Sequence, residues 1–130
     1  MSTELLFTVP DLSKELNITE RAIRFYETKG LVTPQRAGNT RIFNYKDRAR
    51  LVIVLRAKKL GFSLNDIKTY LDLYDVDPKH RTQSQNALRA IDQRLAKLKD
   101  QQKEIKVIIN ELKQLENDIK NSIHKLDEDE

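Results

Sequence analysis

From Thr82 to Glu130 the chain contains neither glycine nor proline, and apolar residues return along it at seven-residue spacing. One column reads Ile91, Leu98, Ile105, Leu112, Ile119 and Leu126; the other reads Leu88, Leu95, Gln102, Ile109, Glu116 and Ile123. Only Gln102 and Glu116 break the pattern, so it is the seam of a coiled coil rather than the broader stripe of an ordinary surface helix. Thr82 and Gln85 are spaced as a capping box at its start. The repeat predicts a helix from Thr82 to Leu126, about 66 Å long at 1.5 Å per residue. A head of some eighty residues cannot cover so long a seam. A second copy of the same helix is the simplest partner, which makes the chain a homodimer. Leu88, Ile91, Leu95, Leu98, Ile105, Ile109 and Leu112 are the expected dimerisation residues. Gln102 and Glu116 either set the register, or the second lies beyond the paired region.

The head reads as a set of short helices. Thr8 and Asp11 form a capping box, with Pro10 in the first turn, where its missing donor costs nothing. Val9, Leu12 and Leu16 make the apolar face of that helix. After a short turn at Asn17 and Ile18, Thr19 caps a second helix that stops at Gly30. Two helices joined so tightly match a helix-turn-helix unit. In the second, Ala22, Ile23 and Tyr26 share one face, leaving Arg21, Arg24, Phe25 and Thr28 on the other. A short helix with two arginines and an aromatic on its open face suits the DNA major groove.

Beyond Gly30, Leu31–Pro34 suits an edge strand, 37–39 a turn, and Arg41–Phe43 a second strand. Arg36 and Arg41 lie near the tip of that hairpin. Asn44 and Asp47 open a helix expected over Tyr45–Leu60, with Gly61 as its stop. Ser63 and Asp66 open another over Leu64–Tyr74, burying Leu64, Ile67, Leu71 and Tyr74. Asp75, Asp77 and Pro78 break the pattern. The expected organisation is a DNA-binding head over 1–75, a linker over 76–81, the dimerisation helix over 82–126 and a frayed acidic tail over 127–130.

Charge is concentrated in the head. Between Arg21 and Lys59 there are eleven lysines and arginines but only two acids, Glu27 and Asp47. An excess of that size points to a polyanionic partner, with solubility as the plainer alternative. The function classes left over are few. There is no cysteine, hence no disulfide or thiolate metal site. No apolar run approaches the roughly 20 residues of a membrane span, and the first residues do not form a secretory signal, so a cytoplasmic protein without a membrane partner is expected. His80 and His124 lack ligand spacing and read as solvated; Asp72, Asp75 and Asp77 read as linker acids rather than a calcium loop. No paired catalytic acids, activated nucleophile or phosphate-binding glycine loop is visible, so neither an enzyme nor a cofactor is expected.

The run Arg21-Ala22-Ile23-Arg24-Phe25-Tyr26-Glu27 followed by Gly30-Leu31 resembles the R-x-[IL]-R-[YF]-Y-E-x-x-G-L signature of the MerR family of bacterial transcription regulators. Arg41-Ile42-Phe43 is similar to that family's R-[LVI]-Y strand, and Leu60-Gly61-Phe62-Ser63-Leu64 with Ile67 to its L-G-[FM]-S-L-x-x-I segment. The three motifs stand in order and cover about residues 8–74. The resemblance implies a mainly α protein: a winged helix-turn-helix domain followed by a long dimerisation helix in an antiparallel coiled coil. It implies binding to a pseudo-palindromic promoter, distortion of that DNA, and an indirect partnership with RNA polymerase. Some residues depart from the family pattern. Asn39-Thr40-Arg41 stands where the wing is usually G-Y-R, and Phe43 replaces the strand tyrosine. The cysteines of metal-sensing members are absent, and no large ligand domain is expected after the helix. The segment LGFSLNDIKTYLDLYD, with the Asp47-Arg48 helix start, resembles more the members linked to branched-chain amino-acid and fatty-acid catabolism.

Within this frame Thr19 and Arg21 are expected to reach base edges or nearby phosphates, and Arg24 and Phe25 to meet the backbone. Phe25, without a hydroxyl, can only pack on sugar or a base methyl, or else within its own domain. Arg36 and Arg41 are wing contacts or a solvated hairpin; Lys58 and Lys59 belong to a second wing or to an ordinary helix end. The competing reading is a structural coiled-coil adaptor whose basic head binds another protein.

Overall fold

The computed structural model describes residues 5–76 and 80–129. Its elements run α1 (Val9–Leu16), α2 (Glu20–Thr28), β1 (Gln35–Ala37), β2 (Thr40–Ile42), α3 (Tyr45–Leu60), α4 (Leu64–Val76) and α5 (Arg81–Glu128). By compactness the chain divides into two units, Met1–Ala90 and Ile91–Glu130.

Local hydrogen bonds set most helix starts in the first unit. Thr8 Oγ1 accepts the Asp11 N–H and Asp11 Oδ2 accepts the Thr8 N–H, a reciprocal box at the start of α1. The same exchange joins Asn44 and Asp47 at the start of α3, with both bonds at 2.9 Å. Thr19 caps α2 through the Ala22 N–H, and Ser63 Oγ accepts the Asp66 N–H at the start of α4. α3 stops at Gly61, whose φ of +91° lies in the left-handed region that costs glycine little.

Two apolar clusters hold the head together. Val9, Leu12, Ile23, Val32, Phe43 and Leu51 form the first, and Leu31, Val54, Ile67 and Leu71 the second; Tyr26 packs against both. Neighbours Leu31 and Val32 therefore enter different clusters, and both are fully buried. This overturns the edge strand expected at Leu31–Pro34. A strand would send the two side chains to opposite faces of one sheet, whereas here the segment links two cores and carries no strand. Pairing begins only after Pro34. β1 and β2 are antiparallel, with Gln35 opposite Ile42, Arg36 opposite Arg41 and Ala37 opposite Thr40. Ala37 is thus a strand residue, and the turn is the pair Gly38-Asn39, with Gly38 at φ +63° as a two-residue hairpin requires. Phe43 leaves the hairpin to form a bridge with Phe7, each N–H donating to the other's carbonyl at 2.8 Å.

Other boundaries shift too. α4 continues through Asp75 to Val76, and Tyr74 is exposed rather than buried, its ring stacked on His80 at 4.5 Å. His80 is half-buried, not solvated, and its Nδ1 has no hydrogen-bond partner. Of the expected linker, 77–79 lie outside the described residues. Thr82 is not the cap of the last helix. α5 starts one residue earlier, with the His80 carbonyl accepting the Ser84 N–H at 3.0 Å. Gln83, in this first turn, is buried, and its Nε2 donates to the Tyr70 carbonyl at 2.6 Å, tying the first turn of α5 to α4. At the other end α5 runs through Asp127 to Glu128, beyond the expected Leu126; Glu130 lies outside the described residues.

In the second unit every seam residue is exposed, from 41% at Leu98 and Ile91 to 68% at Leu126. Gln102 is exposed, and Glu116 forms an ion pair with Lys120 of its own helix at 3.4 Å.

Candidate nucleic-acid interface

The interface is built on α2. Its inner face is set by Ile23, fully buried, with Ala22 and Tyr26 half-buried beside it. Because side chains recur on one face every three or four residues, that anchoring leaves Arg21, Arg24, Phe25 and Thr28 exposed. Among the described residues, neither Arg21 nor Arg24 has an ion-pair partner. Thr19 is also exposed, but its Oγ1 already accepts the Ala22 N–H at 3.0 Å, so toward a ligand it retains its hydroxyl proton. Thr28 Oγ1 donates to the Arg24 carbonyl.

Phe25 is 46% exposed and lies 5.9 Å from the Tyr26 ring. Lys29 Nζ sits 5.5 Å from the Phe25 ring centroid, a cation–π arrangement. Lys29 is absent from the set read off the sequence. Its four-residue spacing from Phe25 is the signal that would have found it.

The wing arginines are not free. Glu27, in the last turn of α2, accepts from Arg36 Nη2 at 2.9 Å and from Arg41 Nε. Two further basic residues of the Arg21–Lys59 segment serve the fold. Arg48 pairs with Glu15 at 2.5 Å, a bond that holds its guanidinium pKa above the ordinary value. Arg50 Nε donates to the Leu31 carbonyl at 2.9 Å, and its fork reaches Asp72 at 3.4 Å. Lys58 and Lys59 close α3 in exposed positions and, among the described residues, have no acid partner. The charge available to a polyanion is therefore carried by α2 and the end of α3, and less by the wing.

Three carboxylates respond to this packing. Lys68 hydrogen-bonds Asp72 and holds its pKa below the ordinary value, with Arg50 adding to the effect. The Thr8 N–H lowers that of Asp11. Burial raises that of Asp47, against the opposing pull of its bond to the Asn44 N–H and of Arg50. A raised folded-state pKa means that the folded state holds this proton more tightly. The contribution is present below the unfolded value and is lost as pH rises through the folded one. Asp47→Asn, which keeps an oxygen for the cap, is therefore expected to be better tolerated at pH 7 than at pH 3. Urea unfolding at the two pH values checks this; the reverse order would contradict it.

The model of the MerR HTH family regulatory protein matches residues 7–74, and the model described as MerR, DNA binding, matches 48–115. The chain belongs to the MerR family. Among curated MerR-type relatives, CueR of Salmonella typhi is 32% identical over 74 residues, covering 55% of this chain and 54% of its own. The ZntR homolog of Haemophilus influenzae is 31% identical over 106 residues, covering 80% and 71%. The chain spans about half the length of the first curated relatives it matches. Among solved structures, PbrR691 from Ralstonia metallidurans CH34, in complex with lead(II), has a TM-score of 0.70 at 25% identity, covering 85% of this chain and 86% of that one. HiNmlR, a MerR family regulator lacking the sensor domain and bound to promoter DNA, has a TM-score of 0.54 at 27% identity, covering 85% and 77%. Within this MerR chain, the described residues contain no group of three histidines or acids able to hold a metal, and no helix long and apolar enough to cross a membrane.

Proposed function

We propose that this chain is a dimeric, sequence-specific transcription regulator of bacterial promoters. The observation that carries the reading is the open face of α2, where Arg21 and Arg24, without an ion-pair partner among the described residues, lie exposed beside Phe25 on the second helix of a helix-turn-helix. Thr19 and Arg21 face base edges in the major groove. Arg24, Phe25, Lys58 and Lys59 meet the sugar–phosphate backbone, and Arg36 and Arg41 approach it from the wing. The exposed seam of α5, from Leu88 to Leu112, joins two copies, so that two heads engage a pseudo-palindrome and distort it for RNA polymerase in the cytoplasm. The domain plan is a reading head that ends with α4, a short linker, and α5 as the dimerisation helix. A coiled-coil adaptor is not favoured, because the relatives of this chain are transcriptional regulators. For the same reason an enzyme is not expected.

Binding to the protein's own upstream DNA, compared with a scrambled duplex at several salt concentrations, tests the reading. A regulator shows a clear specificity ratio and a log K that falls with log salt. Equal, weak binding to both duplexes would reject it. Two variants separate the roles. Arg21→Ala should relax base preference at one position by about 1–3 kcal/mol, the worth of a bidentate arginine–guanine pair. Lys58→Ala should weaken all sequences alike and lower the salt slope by about 1. A base-preference profile unchanged in Arg21→Ala would remove that residue from readout.

A further inference from the structure

We infer that Glu27 is a specificity-determining positioning residue: it ties both wing arginines to the recognition helix and withholds their charge from unselective phosphate binding. The inference deepens the DNA-binding reading above and rests on it.

Phe43 anchors the base of the wing in the core, but the strands themselves have little to hold them. β1 and β2 are three residues each, and every residue of β1 is exposed. A two-stranded hairpin of this size is marginal by itself. Arg36 and Arg41 are moreover direct cross-strand partners, a like-charge pair that disfavours the hairpin. Glu27 lies against this pair, its side chain only 19% exposed, with one carboxylate oxygen on each guanidinium. It therefore does two things at once. It relieves the repulsion across the hairpin, and it sets the posture of the wing relative to the base-reading face of the same helix. The three groups together carry one net positive charge instead of two. Free arginines would settle on any phosphate, because such contacts carry no sequence information. Tethered arginines meet phosphates only where the wing already points when α2 is seated.

Glu27→Gln tests this, since it keeps the shape and removes the charge. With the scrambled duplex, binding should tighten and the slope of log K against log salt should steepen by about 0.9 for each phosphate that a released arginine neutralises. For each such phosphate, the change in affinity between 50 and 200 mM salt should grow about threefold. The ratio of upstream to scrambled affinity should fall roughly tenfold. Glu27→Asp keeps the charge but shortens the reach, so it should lower the ratio while leaving the slope at the wild-type value. A purely structural role predicts weaker binding to both duplexes with no steeper slope, and that result would overturn the inference. So would a full ratio in Glu27→Asp, which decides the matter if the glutamine variant does not fold. Wild-type protein that fails to prefer its upstream DNA removes the DNA-binding reading itself. A wild-type preference that Glu27→Gln leaves unchanged removes only the role of Glu27.

Discussion

Leu98→Asp is expected to turn the proposed dimer into a monomer while residues 1–90 stay folded. Leu98 stands in the unbroken apolar column of α5, with Ile91 and Ile105 one heptad to either side. It is 41% exposed in the single chain, and among the described residues nothing packs over it as a core would. In a two-stranded coil such a position is enclosed by four residues of the facing helix. A carboxylate placed there would lose its water without gaining a partner, at a cost of several kcal/mol per chain. Light scattering should therefore report half the wild-type mass, with the head's thermal transition retained. DNA affinity should fall by roughly 10² to 10⁴, because the second head no longer benefits from the effective concentration that the link provides. Gln93→Asp, on the outer face of the same helix, is the control and should remain a dimer. A dimer that survived Leu98→Asp would reject this seam.

Phe43→Ala should have the largest effect on stability in the head. Its ring is fully buried among Val9, Leu12, Ile23, Val32 and Leu51. Truncation of an enclosed phenylalanine costs about 3–5 kcal/mol, from lost transfer energy and the cavity left behind. At about 4–8 °C per kcal/mol for a head of this size, the melting temperature should drop by roughly 12–40 °C. The backbone at Phe43 also carries the bridge to Phe7, which draws the chain before α1 onto the end of the wing. Loosening this residue should thus release the wing and the first described residues together. Urea unfolding followed by circular dichroism measures the loss. A change below about 1 kcal/mol would mean that the cluster collapses around the gap, as some sites can.

The basic stretch shows how a correct sequence expectation changes meaning in the fold. Its positive excess is evident in the residue types, but its distribution is not. Arg36 and Arg41 answer to Glu27, Arg48 to Glu15, and Arg50 to the Leu31 carbonyl and Asp72. The pairings of Arg48 and Arg50 join distant parts of the chain, and no periodicity announces them. What remains without an ion-pair partner among the described residues, with Arg21, Arg24, Lys58 and Lys59 in it, is a smaller set than the composition suggests. It is also better placed, since Arg21 and Arg24 share the open face of α2.

The sequence by itself determined the starts of α1, α2 and α3, the stop at Gly61, the open face of α2 and the periodic seam of α5. Each of these rests on residues within one or two turns of each other. A threonine or asparagine three residues before an N–H can cap it wherever the helix lies, and helical spacing puts Ile23 across the helix from Arg21 before any tertiary contact forms. Only the tertiary structure decided the fate of Leu31 and Val32, the start of α5 and the tethering of the wing. Two adjacent apolar residues read as a strand until there are two cores to receive them. Thr82 reads as a cap, but the helix begins at Arg81, where Gln83 in the first turn bonds the Tyr70 carbonyl of α4. Burial and long-range pairing depend on which surfaces meet, and that information is spread over the whole head rather than held in any one window of the chain.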